Sequence, residues 1–430
     1  MSDPSFLTPV WNNPASATLV SGVPWVQGRT GSIDDYTAPS RDLAGGSATW
    51  PTYLNNGSVL DGFTRPVLVN PVSLPAAFQG GESLVEFPLV QQSIDVLTDL
   101  DLALTVTMSA CTVNATPFLV NRVETWGAGG QIEVAQQAQL YAWLLLKQTD
   151  EAAAEGGQLN MTDPISAIST GVAAYTARTT TYSVANSNQV QEFVVPINIA
   201  LTQPKSLYIP GLVGDLRLRI YLAGNPSVNG TGTMVLNSAV LRAHMRGVHA
   251  DAATQLMTLY RSPSSPIRMR CIVPSYHVEN LAAYTSGTTY QFTTRNIAGL
   301  SAGLIVDIVP QTTTVQSSIS TRFGISNLQL LNSAGGQLTP VVATPYNQKV
   351  WSKAIKTPYN AGSWVIPFST DLRNSMLTGA MDGFRFFDRS QQIAVTSGSS
   401  QTNVWARVTS LNYAYLQVSG GNLSLIQTSA

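Results

Sequence analysis

The chain has 430 residues, more than one hydrophobic core ordinarily organises, so two domains are expected. Hydrophobic residues make up 44% and charged residues only 11%, against roughly 25% charged in an ordinary soluble domain, which fits a surface covered by partners or, alternatively, an unusually neutral secreted protein. A net charge of −1, with Lys and Arg scattered along the chain, gives no electrostatic basis for binding a genome through a basic arm.

Residues 1–65 are rich in Pro, Gly, Ser, Thr and Asn. Pro4, Pro9, Pro14, Pro24 and Pro39 break any helix, and Gly45-Gly46 adds flexibility, so an extended arm that orders against a partner is expected. The first residues show neither the charged nor the apolar region of a secretion signal, and synthesis in the cytosol is the expectation. Strands dominate after residue 65. Leu100, Leu102, Leu104, Val106 and Met108 alternate with Asp101, Ala103, Thr105 and Thr107, and Leu216, Leu218, Ile220 and Leu222 alternate in the same way. Such strands bury one face and wet the other, as in a β-sandwich.

Two helical intervals interrupt the strands. Ala135 to Ala154 is made of strong helix formers and stops before Gly156-Gly157. The second runs from about His249 to Tyr260 and ends at Ser262 to Pro266, which places the domain boundary at 250–268. The apolar run Leu140 to Leu146 is far shorter than the roughly 20 residues of a membrane span. Cys111 and Cys271 stand alone in sequence and read as buried free thiols.

The two halves repeat each other. Ala128-Gly129-Gly130-Gln131-Ile132 matches Ala334-Gly335-Gly336-Gln337-Leu338 at an offset of 206 residues. In each half a strand-like run leads into the glycines, which supply the positive φ of a tight connection. Each half then places a proline in an apolar run, Pro196 and Pro367, and ends on a long strand, Met234 to Met245 and Val404 to Val418. The interval from glycines to proline is about 35 residues longer in the first half, so residues 155–189 are expected to form a long loop. Gly129, Gly130, Gly335, Gly336, Pro196 and Pro367 are therefore the candidate structural turn residues of a duplicated β-domain.

No catalytic constellation accompanies this pattern. His244, His249 and His277 lack metal-ligand spacing, and no nucleophile elbow or phosphate-binding loop occurs. Asp99/Asp101, Asp382/Asp388 and Asp150/Glu151 are the carboxylate pairs, and nothing draws them into one site. The Asn-x-Ser/Thr sequons at Asn56, Asn114, Asn160, Asn229 and Asn422 carry little weight in so Ser- and Thr-rich a chain. No enzyme activity, cofactor or metal is expected.

Four segments resemble the double jelly-roll major capsid proteins of double-stranded DNA viruses, the group of eukaryotic large DNA viruses, virophages and polinton-like viruses. They are Thr98 to Met108, Val123 to Gln148 with its Gly-Gly-Gln turn, Glu192 to Leu222 with Pro196 and Pro210, and Leu411 to Ile426. The second half has no clear equivalent of the stretch around Pro210. The resemblance implies an all-β fold of two tandem eight-stranded antiparallel jelly rolls with short helices in loops. Its implied layout is an arm at 1–65, a first roll at 66–249, a linker at 250–268 and a second roll at 269–430. It further implies a homotrimeric, pseudo-hexagonal capsomer of an icosahedral virion that meets neighbouring trimers, minor capsid proteins and penton proteins. Outer loops such as 155–189 would face a host receptor, no direct nucleic-acid contact is expected, and an internal membrane beneath the shell is left open. The competing expectation is a two-domain β-sandwich carbohydrate- or receptor-binding protein of spike-like character, for which Trp25, Trp50, Tyr53, Tyr175 and Tyr182 are aromatic candidates.

Overall fold

A computed structural model describes residues 65–75, 83–90, 95–109, 111–113, 119–136, 139–140, 182–184, 189–205, 207–223, 233–248, 250–293, 299–311, 323–332, 334–339, 341–350, 363–370, 372, 381–382 and 392–427. The expected arm and almost all of the 155–189 loop lie outside them.

The first half contains β1 (Arg65–Val69), β2 (Ser83–Leu89), β3 (Val96–Ser109), β4 (Cys111–Val113), β5 (Val120–Gly127), β6 (Gly130–Gln136), β7 (Tyr182–Val184), β8 (Gln189–Pro196), β9 (Leu207–Tyr208), β10 (Leu216–Leu222) and β11 (Thr233–Arg246). Helix α1 (Ala250–Arg261) follows. The second half contains β12 (Ile267–Tyr284), β13 (Thr289–Thr293), β14 (Leu300–Pro310), β15 (Ile325–Leu331), β16 (Val342–Ala343), helix α2 (Thr344–Val350), β17 (Ser363–Pro367), β18 (Met381–Asp382), β19 (Gln392–Ser397), β20 (Gln401–Ser419) and β21 (Asn422–Gln427).

All strand pairs are antiparallel, and the two halves share one topology. In the first, one sheet runs β1-β11-β3-β8 and the other β2-β10-β5-β6; in the second, the corresponding sheets run β12-β20-β14-β17 and β13-β19-β15-β16. Counted along each half, these orders are first-eighth-third-sixth and second-seventh-fourth-fifth, the strand order of a jelly roll. The short ribbon β4-β7 and the additions β9, β18 and β21 stand outside this plan.

Alternation sets which face is buried. On β3, Leu100, Leu102, Leu104 and Val106 are fully buried, whereas Asp101, Ala103, Thr105 and Thr107 are half-buried. The expected helix at 135–154 begins later than its composition suggests. Residues 135–136 finish β6, paired with Val123 and Arg122, and helical geometry appears only at 139–140; the rest lies outside the described residues. Sheet pairing overrides helix propensity there.

β12 and β20 have 18 and 19 residues, against a usual strand of about 5–6, and each rises roughly 60 Å. Their pairing holds one register from Ile267↔Val418 to Tyr284↔Gln401. This ribbon is long enough to serve two cores. Val404, Ala406 and Val408 of β20 join the core of the second roll with Leu304, Val306, Ile308 and Trp364. Ala414, Leu416 and Val418, on the same face further along, join the first roll's core with Leu97, Phe193 and Leu218. Between them, the same face carries Ser410 and Asn412. The Ser410 hydroxyl donates to Asn412 Oδ1 at 2.6 Å and lies 3.1 Å from the hydroxyl of Ser301. Two apolar cores thus meet across a buried, hydrogen-bonded polar seam.

Candidate functional site

Among the described residues the feature of greatest consequence is the junction between the rolls. It assembles from four stretches: the chain after β6, the segment after β8, α1, and the near ends of β12, β20 and β21. The apolar part is a shared core. Leu256 and Tyr260 of α1, Ile267, Met269 and Cys271 of β12, and Leu423 of β21 are all buried in the cluster that fills the first roll. Residues 250–268, read from sequence as a linker, are helix α1, the turn at 262–266 and the first two residues of β12. Interfaces between domains are ordinarily polar and permit relative motion; here apolar residues of α1, β12, β20 and β21 are buried in the first roll's core and tie the two rolls together.

Tyr260 is the pivot of the helix contact. Its hydroxyl oxygen accepts the backbone N–H of Tyr208 at 3.0 Å, and the two rings meet edge to face at 5.7 Å. Burial pushes the Tyr260 phenol well above its ordinary value. Gly211 is obligatory beneath this ring, because a Cβ there would stand 2.6 Å from Tyr260. Backbone bonds close the other side: Val213 N–H donates to Gly421 O, and Gly421 N–H to Tyr260 O, both at 2.8 Å. Gly421 has φ +80°, and its Cβ would meet Val213 at 2.4 Å, so the Gly420-Gly421 turn serves the junction through both conformation and contact.

Glutamine side chains cap the free edge of β12. Gln203 Nε2 donates to Ile272 O and accepts the Ile272 N–H on Oε1, both at 2.7 Å, as a neighbouring strand would. Gln139 Nε2 donates to Pro274 O at 2.5 Å. Replacing Gln203 by alanine leaves both groups of Ile272 without these bonds in a half-buried setting. A loss on the order of 2 kcal/mol is expected, read as a lower urea midpoint. Unchanged stability would show that water or a neighbour replaces the amide.

Glu133, on β6, is the junction's buried charge. Its carboxylate accepts the Ala200 N–H at 2.9 and 3.1 Å, and burial pushes its pKa up to about 7. Cys271, free and buried, feels this carboxylate, and burial pushes its thiol up as well.

The candidate turn residues take definite places in this frame. Gly129 and Gly130 lie in the β5–β6 connection, and Gly335 and Gly336 in the β15–β16 connection. Their shared Ala-Gly-Gly-Gln sequence hides a difference in geometry. Positive φ falls on the second glycine of the first pair, Gly130 (φ +114°), and on the first of the second pair, Gly335 (φ +80°). The later turn is drawn in by Asn332, whose Oδ1 accepts from the N–H groups of Ala334 and Gly336. Pro196 and Pro367 each end the sixth strand of a roll and anchor corresponding rows across the sheet. One row runs Pro196–Asp101–Arg242–Leu68, the other Pro367–Gly303–Leu411–Pro274.

Two polar pairs escaped sequence reasoning because their partners are far apart in the chain. His244 Nε2 lies 2.7 Å from Asp101 Oδ2, and this hydrogen bond raises the histidine's pKa. Asp307 and Arg407, facing residues on β14 and β20, form an ion pair at 2.8 Å that is almost wholly buried, and Ser363 on β17 donates to the same carboxylate. Among the described residues no group of three or more His, Cys, Asp and Glu could hold a metal, and no helix is long and apolar enough to cross a membrane. Of the carboxylate pairs, Asp99 and Asp101 lie on β3 and face His244 and Arg242. Asp150/Glu151 and Asp388 fall outside the described residues.

No family model and no curated protein matches the sequence. Solved structures do match the fold. A chain of the PBCV-1 virus capsid superposes with a TM-score of 0.59 at 11% identity, covering 85% of this chain and 97% of that one. The Faustovirus major capsid protein does so with 0.56 at 9% identity, covering 88% and 96%. A chain of the Sputnik virophage structure gives 0.54 at 11% identity, covering 86% and 89%. At these identities the likeness is one of fold: two jelly rolls in tandem, over nearly the full length of each comparison chain.

Proposed function

We propose that this chain is the structural major capsid protein of a double-stranded DNA virus, working by assembly and catalysing nothing. The observation that carries the reading is the pair of jelly rolls locked into one body by a shared core and matched along almost their whole length by capsid proteins. A subunit that tiles a shell must present its lobes at a fixed angle to its neighbours. The 18- and 19-residue strands that cross both rolls supply that rigidity.

In this reading the rolls, at about 66–249 and 269–430 with 250–268 between them, stand side by side. Three chains associate as a homotrimer whose six rolls give a pseudo-hexagonal outline, which neighbouring trimers, minor capsid proteins and penton proteins extend into an icosahedral virion. Residues 1–65 serve as an arm on the inner face, and the outer loops meet the host. Gly129, Gly130, Gly335, Gly336, Pro196 and Pro367 act as structural turns. The low charge supports the reading, because surface destined for neighbours needs few charges to stay in solution. Sedimentation equilibrium of the purified protein tests it. The expected mass is three times the 45.9 kDa chain; a monomer at every concentration, with affinity for glycans, would favour a receptor-binding protein instead.

A further inference from the structure

The contact between the rolls joins two unlike surfaces. Residues beyond the fifth and sixth strands of the first roll, Gln139 and Gln203, meet the first strand of the second roll at Pro274 and Ile272. Both rolls have the same topology, so each carries both kinds of surface, and the described residues put one of each to use. Left over are the first strand of the first roll, β1, and the region beyond the fifth strand of the second roll, α2.

The strand registers identify the corresponding residues. In the matched rows, Leu68 on β1 occupies the place of Pro274 on β12. Gln139, the residue that reaches Pro274, stands third beyond the end of β6; Tyr346 on α2 stands third beyond the end of β16. Pro274 is buried, whereas Leu68 is 65% and Tyr346 48% exposed. A lone exposed apolar side chain needs no explanation. Two of them, at the positions that correspond to Pro274 and Gln139, make complementary halves of a head-to-tail contact.

We propose that a second copy of this chain docks there, with Leu68 on β1 of one copy packing against Tyr346 on α2 of the next. The inference rests on the capsomer reading and deepens it by naming the surface through which copies meet. Such a contact is heterologous, so copies join head to tail rather than pairing face to face, and three of them make the capsomer's ring when the rotation closes. Inside the chain a glutamine amide bonds the edge of β12; between copies an aromatic ring covers an aliphatic side chain. The first contact can therefore form in a single chain, and the second appears only when copies meet.

Sedimentation equilibrium of the full chain tests the proposal, with Leu68→Asp, Tyr346→Asp and the paired L68K/Y346E variant. Both side chains are exposed in the single chain, so the single variants should keep the circular dichroism spectrum of the folded wild type. Each is expected to weaken trimer formation at least tenfold, and the opposite charges of the paired variant should restore it. L68C/Y346C in a Cys111→Ser background should form disulfide-linked trimers on oxidation. Trimers of undiminished affinity in both aspartate variants, without crosslinking, would overturn the proposal and leave the capsomer reading standing. A monomeric wild type would overturn the capsomer reading itself.

Discussion

Replacing Arg407 by leucine is expected to destabilise the second roll by about 3–5 kcal/mol, because it strands a buried carboxylate. Asp307 is 2% exposed at its side chain and Arg407 6%, so water cannot screen the charge left behind. Ser363 still donates to it, but one neutral hydroxyl does not replace a guanidinium. The pair itself contributes far less than its disruption costs, since both ions lost their hydration on folding. A second substitution separates the two effects. D307N/R407L removes the orphaned charge while keeping an acceptor for Ser363, and it should recover most of the loss. Urea unfolding of wild type, single and double variants gives the comparison. Equal destabilisation by R407L and D307N/R407L would show that lost packing of the arginine stem, not charge, dominates.

Glutamine in place of Glu133 should stabilise the protein above neutral pH and leave it nearly unchanged under acid conditions. The carboxyl is buried and accepts the backbone N–H of Ala200, and its pKa rises from 4.5 to about 7. Below pH 4.5 it is protonated in both folded and unfolded chains and contributes no pH dependence. As pH rises from 4.5 to 7 the unfolded chain releases its proton while the folded chain holds on, so stability falls. Above pH 7 the deficit is complete, at about 3 kcal/mol for a shift of this size. Glutamine retains an oxygen for the Ala200 N–H and carries no charge. The difference in unfolding free energy between Glu133→Gln and wild type should therefore grow across pH 5 to 8 and then level off. Parallel pH profiles would show that the carboxylate finds compensation on ionising.

Local patterns in the sequence carry much of the fold. Period-two alternation marks β3 and β10, since one face of each is fully buried. The doubled architecture is visible because each roll carries the same Ala-Gly-Gly-Gln sequence and a proline at matching places in one strand order. What stays hidden is everything set by register between distant strands. Nothing near residue 101 announces His244, and nothing near 307 announces Arg407; strand pairing brings each pair together. Glu133 follows a polar turn and looks like a solvated strand residue until the second roll closes over it. The length of β12 and β20 is similarly obscured. Their ribbon carries apolar residues at both ends of one face and Ser410 and Asn412 between, and that polar interruption reads in sequence as an ordinary half-wet strand. The junction was missed for the same reason: Gln139, Gln203 and Tyr260 are ordinary residues whose partners lie across a domain boundary.

Electron microscopy of the purified protein, without symmetry imposed, tests whether a rigid two-roll subunit assembles as a capsomer. Particles of three chains with six lobes in a pseudo-hexagonal outline are expected, the two lobes of each chain held at one angle in every class. Single two-lobed particles, or classes in which the angle between the lobes varies, would contradict it.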